Sequence, residues 1–472
     1  MSTAIKRKLP NRPALTVSAL TLCIISNVTY ANSENMDKRL SELEARLITL
    51  EKALLNKEQQ IEKLEKKIKE DKYQSVSTVT YQQDNESSQD ITSTFEQRPS
   101  HRYKAPERSI RLSGTDTRLQ IGGQIWLDAI YNSGEMTNRA GFQTSSIAYE
   151  KDTVDDNTLL SAGQSKLSFK SFTPTKYGEM KTRFEFDMFQ SDGNAGFHLT
   201  HLWGELGNFG AGQTFTGFMD IDAFPNILDY WGPNSMVFTR QPQVRYTFDM
   251  GHGDQFSVSL ERSDSDFAFV RNTNPANYDY DEVNELPDVT AFYRKTGDFG
   301  HFKSSFILRK LAYETATSSD DAIGWGINLS GAYNLTKHNA VKYQLVHGDG
   351  ISRYINDPCC SYYASQTGGA DAGLDRNGDL KPISATGGFI YLDHQWQDNM
   401  SSSVGLSYIS LDNLSTQFDN AFQNSLYSTA NFIWSPTLMS KVGVELQYGE
   451  VENFAGQTAD NVRLQTSFGF KY

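Results

Sequence analysis

Residues 461–472 read NVRLQTSFGFKY, and their alternation decides the fold. Val462, Leu464, Thr466, Phe468, Phe470 and Tyr472 share one face of a period-2 strand, while Arg463, Gln465, Ser467, Gly469 and Lys471 share the other. A strand that is apolar on one side, polar on the other and closed by an aromatic residue suits an outer-membrane β-barrel. Lipid touches one face there and a watery lumen the other. An amphipathic strand of a soluble sandwich alternates in the same way, so the rest of the chain has to separate the two.

Working back from this strand, the same period recurs as far as Leu119. Segments begin near Leu119, Gln164, Met180, His198, Phe209, Gln243, Gln255, Val289, Phe302, Ile323, Ala340, Gly388, Met400, Leu426, Lys441 and Asn461, which makes sixteen, an even number as a single-chain barrel requires. Short connections fall around Thr173-Pro174-Thr175, Gly207-Asn208, Met250 to Asp254, Thr296 to Gly300, Asn334 to His338, Gln397 to Asn399 and Ser435-Pro436-Thr437. Long ones occupy about 132–163, 216–242, 263–288, 350–385 and 450–460. Short turns at one end and long loops at the other are the periplasmic and extracellular sides of a bacterial barrel. A sandwich has no reason to keep that asymmetry. The mean hydropathy of −0.52 and the lack of a long apolar run exclude membrane-spanning helices. They are compatible with a barrel, whose alternating strands average to a polar composition.

The first 31 residues read as a secretory signal, with Lys6, Arg7, Lys8 and Arg12 before the apolar stretch Ala14 to Val28 and a small-residue cleavage pattern at Thr29-Tyr30-Ala31. Leu22 before Cys23 is too bulky for a lipoprotein signal. Removing the four cations takes the net charge from −13 to −17, which argues against nucleic acid as a partner. Export places the adjacent Cys359 and Cys360 in an oxidising compartment. No CxxC spacing supports a zinc or redox site, so a vicinal disulfide in an external loop is the expectation.

Residues 32–72 carry a heptad repeat. Leu40, Leu47, Leu54, Ile61 and Ile68 fill one apolar position, and Met36, Leu43, Leu50 and Leu64, with Lys57 and Asp71 interrupting, the other. The e positions are Glu44, Glu51, Glu58 and Glu65, and the g positions include Arg39, Arg46 and Lys67. Parallel chains pair these oppositely charged positions, whereas antiparallel chains set Glu against Glu. The pattern therefore predicts a parallel, intermolecular coiled coil and a cyclic homo-oligomer, against the plainer reading of a single solvated helix. Residues 73–111 are rich in Ser, Thr, Gln and charge and read as a linker. The barrel domain then runs over 112–472.

Several blocks resemble the DcaP-like trimeric outer-membrane porins: GTDTRLQIGGQIWLDAIY at 114–131, LSFKSFTPTKYGEMKTRFEFDMF at 167–189, GELGNFGAGQTFTGFMDIDAFPNILDYWGP at 204–233, RQPQVRY at 240–246 and ANFIWSPTLMSKVGVELQYGE at 430–450. The resemblance spans essentially all of 112–472 and implies a homotrimer of 16-stranded barrels, each with its own pore for small anionic solutes such as dicarboxylates. It implies outer-membrane lipid and lipopolysaccharide as surroundings, and no cofactor.

The residues give their own account of selectivity. With each apolar face on lipid, Lys166, Lys170, Lys181, Arg183, Arg245, Arg294, Lys303, Arg309, Lys342 and Arg463 point into the lumen, against Asp128, Glu185, Asp187, Asp249, Glu261 and Glu445. Cations exceed acids in the wall of an acidic chain, and a low-dielectric tube lined by Arg and Lys concentrates anions. The alternative for each cation is a partner acid nearby, as Glu185 or Asp187 for Arg183. The third external loop is unusually apolar, with Phe215, Phe218, Met219, Ile221, Phe224, Ile227, Leu228, Tyr230 and Trp231. Folding inward against the wall resolves that cost. Its acids Asp220, Asp222 and Asp229 then balance wall cations, with Arg183, Arg240 and Arg245 as constriction cations. The run Asp371 to Asp379 alternates oxygen donors but lacks the Gly and Glu positions of a calcium loop, so Asn377-Gly378 reads as a tight turn and no metal is assigned. No nucleophile triad or phosphate loop occurs, so the sequence does not read as an enzyme. The competing functions are a phosphate- or sugar-selective porin, and a structural tether to the cell wall or adhesin using the coiled coil and loops.

Overall fold

The structure of the protein, a computed structural model, describes Lys52 and residues 109–149, 158–268, 280–315, 318–358 and 368–472. The chain divides into two compact units, 1–98 and 99–472. In the first only Lys52 is described, in helical conformation. The expected signal peptide, the rest of the expected coiled coil, the expected linker up to residue 108, and Cys359 and Cys360 lie outside the described residues.

Alternation sets one face of each segment against lipid, and the only way to satisfy every backbone N–H and C=O there is to close the sheet on itself. The strands are β1 (Arg118–Asn132), β2 (Lys166–Thr175), β3 (Gly178–Asp187), β4 (His198–Leu206), β5 (Phe209–Phe215), β6 (Arg240–Gly251), β7 (Asp254–Glu261) and β8 (Asp288–Gly297). They continue with β9 (Gly300–Thr315), β10 (Ser319–Thr336), β11 (Asn339–Asp349), β12 (Ser384–Gln397), β13 (Met400–Asp412), β14 (Phe422–Thr437), β15 (Ser440–Asn453) and β16 (Thr458–Lys471). Each pairs antiparallel with the next, and β16 closes on β1 through Ile125↔Phe470, Leu127↔Phe468 and Tyr131↔Leu464. It is a sixteen-stranded antiparallel barrel.

Burial is inverted relative to a soluble protein. Leu345, Ile125 and Phe470 are 64%, 62% and 57% exposed on the outside, whereas Arg463 and Gln465 are 0% exposed within. The last strand therefore has the facing its sequence predicts. Trp126 turns inward over the opposite strand, where a Cβ on Gly469 would come within 2.3 Å of the indole ring.

Three connections differ from expectation. β2 runs on through Pro174, which pairs with Glu179, so the reversal falls at Lys176-Tyr177. β14 likewise passes Pro436 with a register shift and turns at Leu438-Met439. Both prolines sit beside a turn, where a missing N–H costs little. The loop expected over 450–460 shrinks to 454–457, because β15 and β16 continue upward as a paired ribbon from Glu452↔Thr458. The first (133–165), third (216–239), fourth (262–287) and sixth (350–383) loops are long, as expected.

Candidate functional site

The third loop leaves β5 at Phe215, returns to β6 at Arg240, and lies inside the barrel. Phe218, Met219, Ala223, Leu228, Met236 and Val237 are buried against inward residues of the wall, among them Ile307, Phe389, Tyr391, Ile409 and Tyr427. Each large apolar side chain so placed contributes roughly 1.5–3 kcal/mol relative to leaving it in water. Leu228 seats against Trp126 and Ile433, and a Cβ on Gly443 would come within 2.9 Å of it.

Polar contacts pin the loop to the wall at many points. The N–H groups of Leu228 and Asp229 donate to the two oxygens of Glu445 at 2.7 and 3.0 Å. Asn328 donates to the Phe218 carbonyl at 2.8 Å, Lys303 to that of Met219 at 2.5 Å, and Lys342 to that of Asp222 at 2.5 Å. Gln465 donates to the Leu228 carbonyl at 3.1 Å. Asp220 takes His301 Nε2 at 2.8 Å and the Ser330 hydroxyl at 3.0 Å. A loop held this way is a fixed partition, not a surface flap.

Two further loops fold in beside it, which the sequence reading did not anticipate. The first loop contributes Met136, Phe142 and Ile147 to the same core, and the sixth Ile351, Tyr354 and Ile355. Val237 bridges Ile355, and Asp357 joins the two loops by accepting from Thr144, from the Ser145 N–H at 3.1 Å and from Ser425 at 3.0 Å. Burial pushes the Asp357 carboxyl up to about 7. The signal was present in Ile351, Tyr354 and Ile355, a shorter apolar cluster than that of the third loop.

The cations named from the sequence divide by their surroundings. Lys166 and Arg183 share Glu185, at 3.4 and 2.9 Å. Lys181 reaches Glu179 at 3.7 Å and Glu205 at 3.9 Å. Lys170 stands directly opposite Arg183 across β2 and β3. Arg294 meets Asp222 at 2.6 Å and Asp220 at 3.7 Å.

Arg309 and Arg463 depart from the pore role expected of them. The Arg309 side chain is wholly buried between Asp288 at 2.8 Å and Asp371 at 3.0 Å. Arg463 is equally buried, donating to Asn132 Oδ1 at 2.7 Å and the Arg139 carbonyl at 3.0 Å. Parity placed both inward correctly, but loops cover them. Asp229 lies near one wall cation, the buried Arg463, while its hydrogen bonds go elsewhere. It accepts from the Phe142, Trp231 and Gly232 N–H groups and from the Tyr427 hydroxyl, fastening the first loop to the third.

Arg240 and Arg245 are different again. Arg240 lies between the rings of Phe215 and Phe238, at 4.8 and 4.9 Å, and Arg245 near those of Trp203 and Phe292, at 5.8 and 6.0 Å. Arg245 donates to the Phe215 carbonyl and to Gln243, both at 2.6 Å. The Nε of each arginine is buried with no acceptor, and among the described residues neither has a carboxylate within ion-pairing distance. His201, in contact with Phe215 at 4.7 Å, completes this corner.

In the 371–379 run, Asp375 accepts the N–H groups of Asn377 and Asp379, and Gly378 has φ 89°, which makes a self-capped turn.

A closed barrel with an apolar outer belt, a polar charged interior and a loop folded within it defines an outer-membrane channel of the porin class. The chain belongs to the DcaP outer membrane protein family, whose family model matches residues 46–468. It is a bacterial outer-membrane channel and not an enzyme. Among solved structures, the outer membrane channel DcaP of Acinetobacter baumannii superposes with a TM-score of 0.65 at 19% identity, covering 77% of this chain and 99% of that one. OmpT of Vibrio cholerae gives a TM-score of 0.47 at 10% identity, over 76% and 99%. An anion-selective porin from Comamonas acidovorans gives 0.46 at 9%, over 75% and 100%. A search of curated proteins found no match.

Proposed function

We propose that the channel passes small anions by diffusion, with a preference for solutes bearing carboxylates. The observation that carries this is the pair Arg240 and Arg245. Among the described residues both lack a carboxylate partner within ion-pairing distance, and flanking rings and the Phe215 carbonyl hold them in place. A guanidinium in that state has unspent hydrogen-bonding capacity, and a carboxylate matches its fork geometry. Arg183, one third exposed, and Lys166, Lys170 and Lys181 beside it extend the positive face along β2 and β3. In this reading the solute moves along that face.

Block by succinate tests the assignment. Chloride current through the reconstituted protein falls as succinate is added, and Arg240→Ala with Arg245→Ala weakens the block by about tenfold or more, the equivalent of one lost charge-assisted hydrogen bond. Equal block in both proteins removes these arginines from the site.

A trimeric assembly accompanies this function. β2 to β5 are only ten, ten, nine and seven residues long, against eighteen for β10. On their outer face Ser171 and Thr182 share a hydrogen bond of 2.6 Å. A short, partly polar wall is a poor lipid surface and a good subunit contact, and the heptads of 32–72 supply parallel association. We propose that the heptad segment is periplasmic.

A further inference from the structure

The rim between β7 and β9 holds a group of charges that the passage of solute does not use. The fourth loop carries Arg262, Asp264 and Asp266, and its returning arm Glu282. Asp288 and Arg309 come from β8 and β9, and Arg353 and Asp371 from the sixth loop. Arg309 joins the pieces, binding Asp288 and Asp371 and donating to the carbonyls of Gly350 and Asp264, both at 2.6 Å. Arg353 pairs with Asp264 and reaches Asp266 at 3.6 Å, and Arg262 also pairs with Asp264. The loops pair in parallel, Phe267↔Ala372 and Ala268↔Gly373, with Asp371 accepting the Asp266 N–H at 3.2 Å.

Two features set this junction apart. Glu282 accepts the Ser265 N–H, which brings its carboxyl group beside that of Asp264, so two acids crowd one corner. Five carboxyl groups also face three guanidinium groups, so full ionisation leaves two negative charges in excess. The junction is connected inward as well. Tyr354, next to Arg353, donates its hydroxyl to Asp288 at 2.6 Å, and its carbonyl accepts the Phe238 N–H of the third loop at 2.9 Å. Phe238 is one of the two rings that hold Arg240.

We propose that the contact between the fourth and sixth loops is a proton-held clasp, which fixes the sixth loop, and through it the returning arm of the third, and which loosens as external pH rises. The inference rests on the channel reading above. Burial and the neighbouring acids push Asp266 up to about 6 and Glu282 up to about 7. The closed clasp therefore holds more protons than the open one, and its stability falls with pH between the ordinary carboxyl range and about 7. Tyr354 stays protonated throughout this range.

The test is bilayer conductance of the full-length protein, with the external side taken from about pH 5 to about pH 8. The wild type shifts from a quiet to a larger, noisier current, with its midpoint between about 6 and about 7. Asp266→Asn with Glu282→Gln, which mimic the protonated groups, keeps the quiet current at every pH. A flat wild-type response, or a variant that follows the wild-type curve, overturns the proposal. As a second arm, Ala268→Cys and Gly373→Cys, in a background of Cys359→Ser and Cys360→Ser, cross-link the clasp on oxidation. The cross-linked channel loses its pH response and recovers it on reduction; a response that persists in the cross-linked channel also overturns the proposal. Reversal potential at fixed pH reads ion preference separately, so failure of the clasp and failure of the anion reading are distinguishable.

Discussion

Arg309 and Arg240 carry the same guanidinium in opposite circumstances. One is neutralised on two sides by Asp288 and Asp371, whereas the other is held between two aromatic rings with no acid within ion-pairing distance among the described residues. Period-2 parity states which face a side chain takes, and nothing about what a distant loop lays over it, so the sequence could not separate the two cases. The partner of Arg309 in the sixth loop lies 62 residues away, at Asp371. Glu445 shows the complementary case. It reads as one more wall acid, yet both its oxygens hold the backbone at the tip of the third loop. Glu445→Ala leaves two buried N–H groups unmatched, a loss on the order of 2–4 kcal/mol. The expected outcome is a lower unfolding midpoint together with a flickering open-channel current, while Glu445→Gln, which keeps one acceptor oxygen, falls between. A quiet, stable Glu445→Ala channel would show that the loop does not depend on this contact.

At the scale of elements, the strands were the legible part. Their observed starts lie within four residues of those expected, because lipid on one side and water on the other enforce alternation at every position. The margin is widest at the loop ends of β10, β12 and β14, where the strands rise past the lipid and lose that constraint. The inward third loop was legible through the cost of exposing its apolar residues. The first and sixth loops escaped notice because long-range contacts such as Asp357 with Thr144 fix them, and no local pattern encodes those. For the heptads of 32–72 we expect a role in assembly and not in conduction. Deleting 36–72 should leave single-channel conductance unchanged and lower the temperature at which the proposed trimer dissociates on a native gel. If the trimer is equally heat-resistant and envelope integrity fails instead, the segment is a tether.

On the scale of the whole molecule, an acidic chain of net charge −13 encloses a wall that runs basic from Lys166 to Arg245. Several acids that balance that wall are already committed, Glu185 to Lys166 and Arg183, and Asp222 to Arg294. Arg240 and Arg245 beside the inward loop have no carboxylate within ion-pairing distance among the described residues, and we propose that they set the sign of the ion preference. The direct measurement is the zero-current reversal potential of the reconstituted protein across a potassium chloride gradient. The expected potential has the sign of an anion-selective pore and moves toward zero when Arg183, Arg240 and Arg245 are replaced by Ala. A cation-selective wild type would contradict it.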